Sequence, residues 1–242
     1  ASGSSSQRRS GSLPLGLLGD GQIAAWCLAG LVDSEAAEVR FRERRIEDEG
    51  AEAVAEALGK SVQLLDLTGN SIGARGLGAI GRASLPNLKS LVLTKNCLTD
   101  KAVQALLAGL SNLSLQSLVL AENQISRSAR AIGDFVAKAN CLEYLDLHWN
   151  FITGDGALGL FEGIGKNLGG EGRLARLDVS WNCLGNTGGK ASMGSLSKSL
   201  AAESSLVHLD LSYNALGSQE CEVLGEGLRD NHSLIGLHMV GN

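Results

Sequence analysis

The stretch Leu142-Glu-Tyr-Leu145-Asp-Leu147-His-Trp-Asn150-Phe-Ile152 spells L-x-x-L-x-L-x-x-N-x-I, and the same frame returns along most of the chain. Its Asn recurs as Asn70, Asn96, Asn123, Asn150, Asn182, Asn214 and Asn242. The two central apolar positions recur as Leu65/Leu67, Leu91/Leu93, Leu118/Leu120, Leu145/Leu147, Leu177/Val179, Leu209/Leu211 and Leu237/Met239. A degenerate copy lies upstream, with Val39 and Phe41 on the strand and Arg44 in place of the Asn. Alternation of apolar and polar residues over so short a run predicts a strand buried on one side. An Asn side chain can donate and accept at once, so it suits the point where the chain leaves the strand and backbone groups need new partners.

Between the strands lie runs with helical spacing. Ile46 to Leu58 is the clearest, with Val54 and Leu58 on one face, alanines for close packing and glutamates facing water. Equivalent helices are predicted over Gly76–Ile80, Ala102–Leu110, Ala129–Val136, Gly156–Ile164, Gly188–Leu200 and Glu220–Leu228. The turn positions are spaced 26, 26, 27, 27, 32, 32 and 28 residues apart. Extra residues around Gly169-Gly-Glu-Gly172 and from Thr187 to Ser195 account for the two long repeats and read as loops.

Repeats of this length, each with a full helix, resemble the ribonuclease-inhibitor class of leucine-rich repeats over roughly residues 36–242. The resemblance implies an α/β horseshoe solenoid of about eight repeats, with a parallel sheet on its concave side and helices on its convex side. Residues 1–35 fall outside it. Residues 1–12, ASGSSSQRRSGS, read as a flexible tail. Ile23 to Leu31 reads as an N-terminal cap over the first repeat, with a docking helix as the alternative. The frame is still running at Asn242, and the expectation is that the array continues.

Composition narrows the partners. A formal net charge of -5 argues against nucleic acid. The longest apolar run, Ile23 to Val32, is too short to span a bilayer. The cysteines, five in number, fall in mismatched frame positions: Cys97 and Cys183 share one but lie three repeats apart, roughly 14 Å at strand spacing, too far for a disulfide. Reduced, mostly buried thiols and a cytoplasmic location are expected. Two glycosylation sequons, at Asn112 and Asn231, are short enough to arise by chance.

No catalytic constellation emerges. Gly154-Asp-Gly156-Ala-Leu-Gly159 matches G-x-G-x-x-G, but the repeat frame already accounts for it, with Gly156 as the small residue opening a helix and Asp178 as a strand residue. Gly185 to Lys190 lacks the spacing of a phosphate loop. The histidines do not share a column, and the cysteines do not join them at metal-ligand spacing. No enzyme activity, cofactor or metal is expected.

The open face of the strands carries the informative pattern. In repeats five to seven, Tyr144, Arg176 and His208 stand six places before the Asn. Asp146, Asp178 and Asp210 stand four before it, and Trp149, Trp181 and Tyr213 one before it. In a parallel stack these become columns about 4.8 Å apart. An Asp in L-D-L-S and an aromatic before Asn are also common in the resembled family, so repeat consensus is the competing explanation. The columns are the candidate protein-binding site, through large rings favoured as interface anchors, with the open C-terminal end as a second surface. The expected function is a non-enzymatic scaffold or adaptor subunit of a large intracellular assembly. The ending His238-Met-Val-Gly-Asn242 and the Ala/Gly/Ser-rich composition are similar to protist and algal ciliary proteins, which adds the cytoskeleton and the axoneme of cilia as places for it. The family also holds regulators of enzymes, such as Ran GTPase-activating protein and ribonuclease inhibitor.

Overall fold

A computed structural model describes residues 29–110, 114–201 and 204–242. The expected tail, most of the expected cap segment with Trp26 and Cys27, and the sequon residue Asn112 lie outside the described residues. Strands and helices alternate. They run β1 (Glu38–Arg40), α1 (Glu47–Ala57), β2 (Leu64–Asp66), α2 (Ala74–Arg82), β3 (Ser90–Val92), α3 (Asp100–Gly109), β4 (Ser117–Val119) and α4 (Ala129–Val136). The second half runs β5 (Tyr144–Asp146), α5 (Gly154–Leu168), β6 (Arg176–Asp178), α6 (Gly189–Leu200), β7 (His208–Asp210), α7 (Ser218–Leu228) and β8 (Gly236–His238). The strands form one parallel sheet in chain order, each beside its sequence neighbours. This is the leucine-rich repeat solenoid, α/β in class.

Register follows the sequence frame without a slip. Leu65 pairs with Leu91, Leu118 with Leu145, and Leu177 with Leu209. Each strand is three residues long, and from β1 to β7 the central apolar side chain points into a continuous core. The helices form the second layer. Leu77 and Ile80 of α2, Ile132 and Val136 of α4, Leu160, Phe161 and Ile164 of α5, and Leu196 of α6 are all buried. Neighbouring helices approach closely because glycines face each other: a Cβ on Gly163 would collide with the Gly133 carbonyl oxygen, and one on Gly133 with that of Gly159.

The turn asparagines hold the repeats together. Asn150 is 4% exposed, and its Nδ2 donates to the carbonyls of Leu147 and of Leu120 in the preceding repeat, each at 3.0 Å. Its Oδ1 accepts the Ile125 N–H, also from the preceding repeat, at 3.0 Å. The other turn asparagines repeat the pattern from Asn70 to Asn242. In the degenerate first repeat the Arg44 N–H donates to Asn70 Oδ1, so the backbone geometry survives without the amide.

Two expectations need correction. Thr187 to Ser195 is not a loop: α6 begins at Gly189, after a left-handed Gly188 (φ 84°), so the long repeat spends its extra residues on a longer helix. The thiols are less buried than expected. Cys97 is exposed, while Cys141, Cys183 and Cys221 are half-buried, and all four are unpaired. The position after the turn Asn, where Cys97 and Cys183 sit, lies at the rim of the sheet rather than in the core.

Candidate functional site

Every strand ends with a residue in the left-handed backbone region, one place before the turn Asn. Glu43, Lys95, Glu122, Trp149, Trp181 and Tyr213 have φ between 52° and 59°, and Gly69 and Gly241 take the same conformation. This conformation turns the side chain off the sheet plane toward solvent. Consecutive repeats therefore present consecutive side chains in parallel.

In repeats five to seven those side chains are rings, and they stack. The Trp149 and Trp181 centroids are 4.8 Å apart with planes 10° from parallel. Trp181 and Tyr213 are 4.0 Å apart at 18°. Trp149, Trp181 and Tyr213 are 56, 43 and 41% exposed. Phe151, two residues after Trp149, is exposed as well. It was not singled out in the sequence, where only its place after the turn Asn marked it.

The column of aspartates behaves differently from an open acidic stripe. Asp146 is buried at 6% exposure. In each Asp-bearing repeat the carboxylate accepts the backbone N–H of the residue two places on: Thr68 for Asp66, His148 for Asp146, Ser180 for Asp178 and Ser212 for Asp210. The aspartate thus caps a strand-end donor, which gives the repeat consensus a physical reason.

Asp146 carries further partners. Its Oδ1 lies 2.8 Å from His148 Nδ1, and the Tyr144 hydroxyl donates to its Oδ2 at 2.9 Å. Burial pushes the Asp146 carboxyl up, but the His148 hydrogen bonds outweigh it and hold it below the usual carboxylate range. His148 is raised in turn, chiefly by its bond to Asp146. Tyr144 is pushed up by burial and by the Asp146 charge. Asp178 is also raised, by burial first and then by the charges of Asp146 and Asp210, against the opposing Ser180 bonds. The sheet register brings Tyr144, Arg176 and His208 into one row, with Arg176 and His208 exposed at the edge of the face.

The sequence residues come together as columns: Tyr144, Arg176 and His208; Asp146, Asp178 and Asp210; Trp149, Trp181 and Tyr213. His148 was missed, because it stands in a column otherwise filled by small residues in repeats six and seven. Among the described residues, Asp146, His148 and Asp178 are also a group that could hold a metal ion, contrary to the expectation of no metal-ligand cluster. Ligand spacing along the chain did not show it because the third member comes from the next repeat. At the β8 end Ile235, Leu237 and Val240 are exposed.

The class follows from the stacked frame, the parallel sheet and the Asn ladder: this is a leucine-rich repeat protein. A family described as Leucine Rich repeat matches residues 60–81, 84–107, 138–161, 174–191 and 203–219. No curated protein matches the chain. Among solved structures the chain is similar to the leucine-rich repeat ectodomain of the plant membrane receptor kinase GASSHO1/SCHENGEN3 from Arabidopsis thaliana, solved in complex with CASPARIAN STRIP INTEGRITY FACTOR 2. The two are 19% identical with a TM-score of 0.36, over 78% of this chain and 25% of that one. No helix among the described residues is long and apolar enough to cross a membrane.

Proposed function

We propose that this protein is a non-enzymatic binding scaffold that grips a partner protein on the open face of repeats five to seven. The observation that carries the reading is the exposed Trp149–Trp181–Tyr213 stack. Stacked rings are already ordered, so a partner that covers them gains apolar contact at little further entropic cost. Trp and Tyr are also the side chains that most often dominate interface energetics. Repeats two and three offer no such surface at the same position, with Gly69 and Lys95 there. Arg176 and His208 supply a polar rim. Within this reading the protein is an adaptor or structural subunit of an intracellular assembly, the axoneme among the candidates. Regulation of an enzyme, as by a Ran GTPase activator, is the alternative.

The test has two stages. An affinity pull-down with mass spectrometry supplies a partner, and that partner is then titrated against Trp149→Ala, Trp181→Ala and Val92→Ala. Each Trp variant is expected to lose about 2 kcal/mol or more of affinity and Val92→Ala much less. Normal binding by both Trp variants, with sensitivity confined to the helices, would move the site to the other face. Stimulation of GTP hydrolysis by Ran would decide for the regulator.

A further inference from the structure

We infer that Asp146, His148 and Asp178 form a binding site for a divalent transition-metal cation. The register sets the pair: Asp146 of β5 lies beside Asp178 of β6. His148 leaves the same face two residues further along. One ligand atom from each residue lies within 4.8 Å of the others. An ion at about 2.0–2.2 Å from each donor draws them only modestly closer, within the reach of side-chain torsions.

The second repeat shows what this face does when the cation is built in. There the buried Asp66 receives the guanidinium of Arg42 from the preceding repeat, Nε to Oδ2 at 2.6 Å. The residues that stand to Asp146 and Asp178 as Arg42 stands to Asp66 are Ala121 and His148. Among the described residues, no Lys or Arg lies within salt-bridge distance of Asp146 or Asp178. The buried Asp146 and the half-buried Asp178 therefore have one imidazole near them, and it bonds Asp146. The register sets Asp178 between Asp146 and Asp210, and a divalent cation offsets their like charges.

The outer contacts suit ligation as well. Tyr144 donates to Asp146 Oδ2, and Ser180 donates through its N–H and hydroxyl to Asp178 Oδ1. Such second partners hold a ligating carboxylate in place. The ion would then take Asp146 Oδ1, which also keeps the His148 backbone N–H, and Asp178 Oδ2. The Asp146–His148 hydrogen bond would give way as the ion takes the imidazole nitrogen, with release of its proton. The His148 side chain is 31% exposed, so an ion can enter from solvent. One imidazole and two carboxylates, with remaining positions left to water, fit Zn2+ or Mn2+.

The experiment is calorimetric titration of the chelator-treated full chain with Zn2+, and separately with Mn2+, after alkylation of exposed thiols. The expected result is saturable binding of about one ion per chain. Affinity should fall at least about tenfold in both Asp178→Asn and His148→Gln and stay unchanged in His232→Gln, an exposed histidine away from the sheet face. Circular dichroism of the variants checks that each remains folded. Absence of a saturable ion, or binding that both ligand variants leave intact, would overturn the site and leave the Asp146–His148 ion pair as the whole of its chemistry.

Discussion

His148 and Asp146 form an ion pair within one strand end, Nδ1 to Oδ1 at 2.8 Å, whereas Asp66 receives Arg42 from the repeat before it. An imidazole partner makes the contact pH-dependent. His148 is raised above its ordinary value near 6.5, so its contribution to stability is complete below that pH and is lost as pH rises through its folded value. Asp146 is held below its ordinary 3.8, so its contribution is present above that value and is lost as pH falls through its folded value. Asp178, raised by burial and its neighbours, works against Asp146 over the acid range. The alkaline limb is therefore the clean one. Between pH 6 and pH 9, about the range in which an imidazole sheds its proton, the melting temperature of the native chain should fall more than that of His148→Gln. Parallel curves would mean that the pair contributes nothing.

Asn150→Leu should cost about 3 kcal/mol of stability, since it strands the Ile125 N–H and the Leu120 carbonyl, at roughly 1–3 kcal/mol for each buried orphan. Urea unfolding reads this as a lower midpoint at unchanged slope. An unmoved midpoint would show that the amide bonds are replaced by water.

The left-handed backbone at Trp149 (φ 53°) allows a finer test of the aromatic column. Alanine and glycine both delete the ring and the stack on Trp181, but only glycine adopts that conformation without strain. Trp149→Gly should therefore be more stable than Trp149→Ala by about 1 kcal/mol. Both should weaken partner binding alike. Equal stability of the two would show that the strand end relaxes out of the left-handed region.

In a helix interior, Gly→Ala ordinarily stabilises by about 0.5–1 kcal/mol. Gly225 in α7 meets nothing within 4 Å, and Gly225→Ala should gain that amount. Gly163 in α5 sits against the backbone of Gly133 in α4, so Gly163→Ala should instead lose about 1–3 kcal/mol by forcing the two helices apart. Thermal melts of the pair should move in opposite directions.

Much of this fold was legible because a solenoid writes its contacts into its period. Once Asn150 and Asn182 are known to be equivalent, Asp146 must pair with Asp178 and Tyr144 with Arg176. The helices were placed to within a few residues, and α4 at its observed bounds. The site was legible only as columns. That Trp149, Trp181 and Tyr213 stack depends on a left-handed φ that no side-chain pattern encodes. That Asp146 is buried and bound by its own His148 depends on a bend at the strand end, which alternation alone does not describe. Glycine composition misled at Thr187 to Ser195, since Gly189, tight against the Leu184 carbonyl, opens α6 and Gly194 lies inside it.

The Asn ladder also gives the stack a grain. Each turn amide reaches backward: Asn182 accepts the Ile152 N–H and donates to the Leu147 carbonyl, and Asn214 does the same for Leu184 and Val179. A repeat is thus finished by the one that follows it. Peeling from the low-numbered side leaves a side chain short of partners, and a side chain can rotate to find water. Peeling from the high-numbered side strips the cover from fixed, buried N–H and C=O groups, which cannot turn away. Unzipping should therefore run unequally from the two directions, and the array should resist a pull on one end differently from a pull on the other.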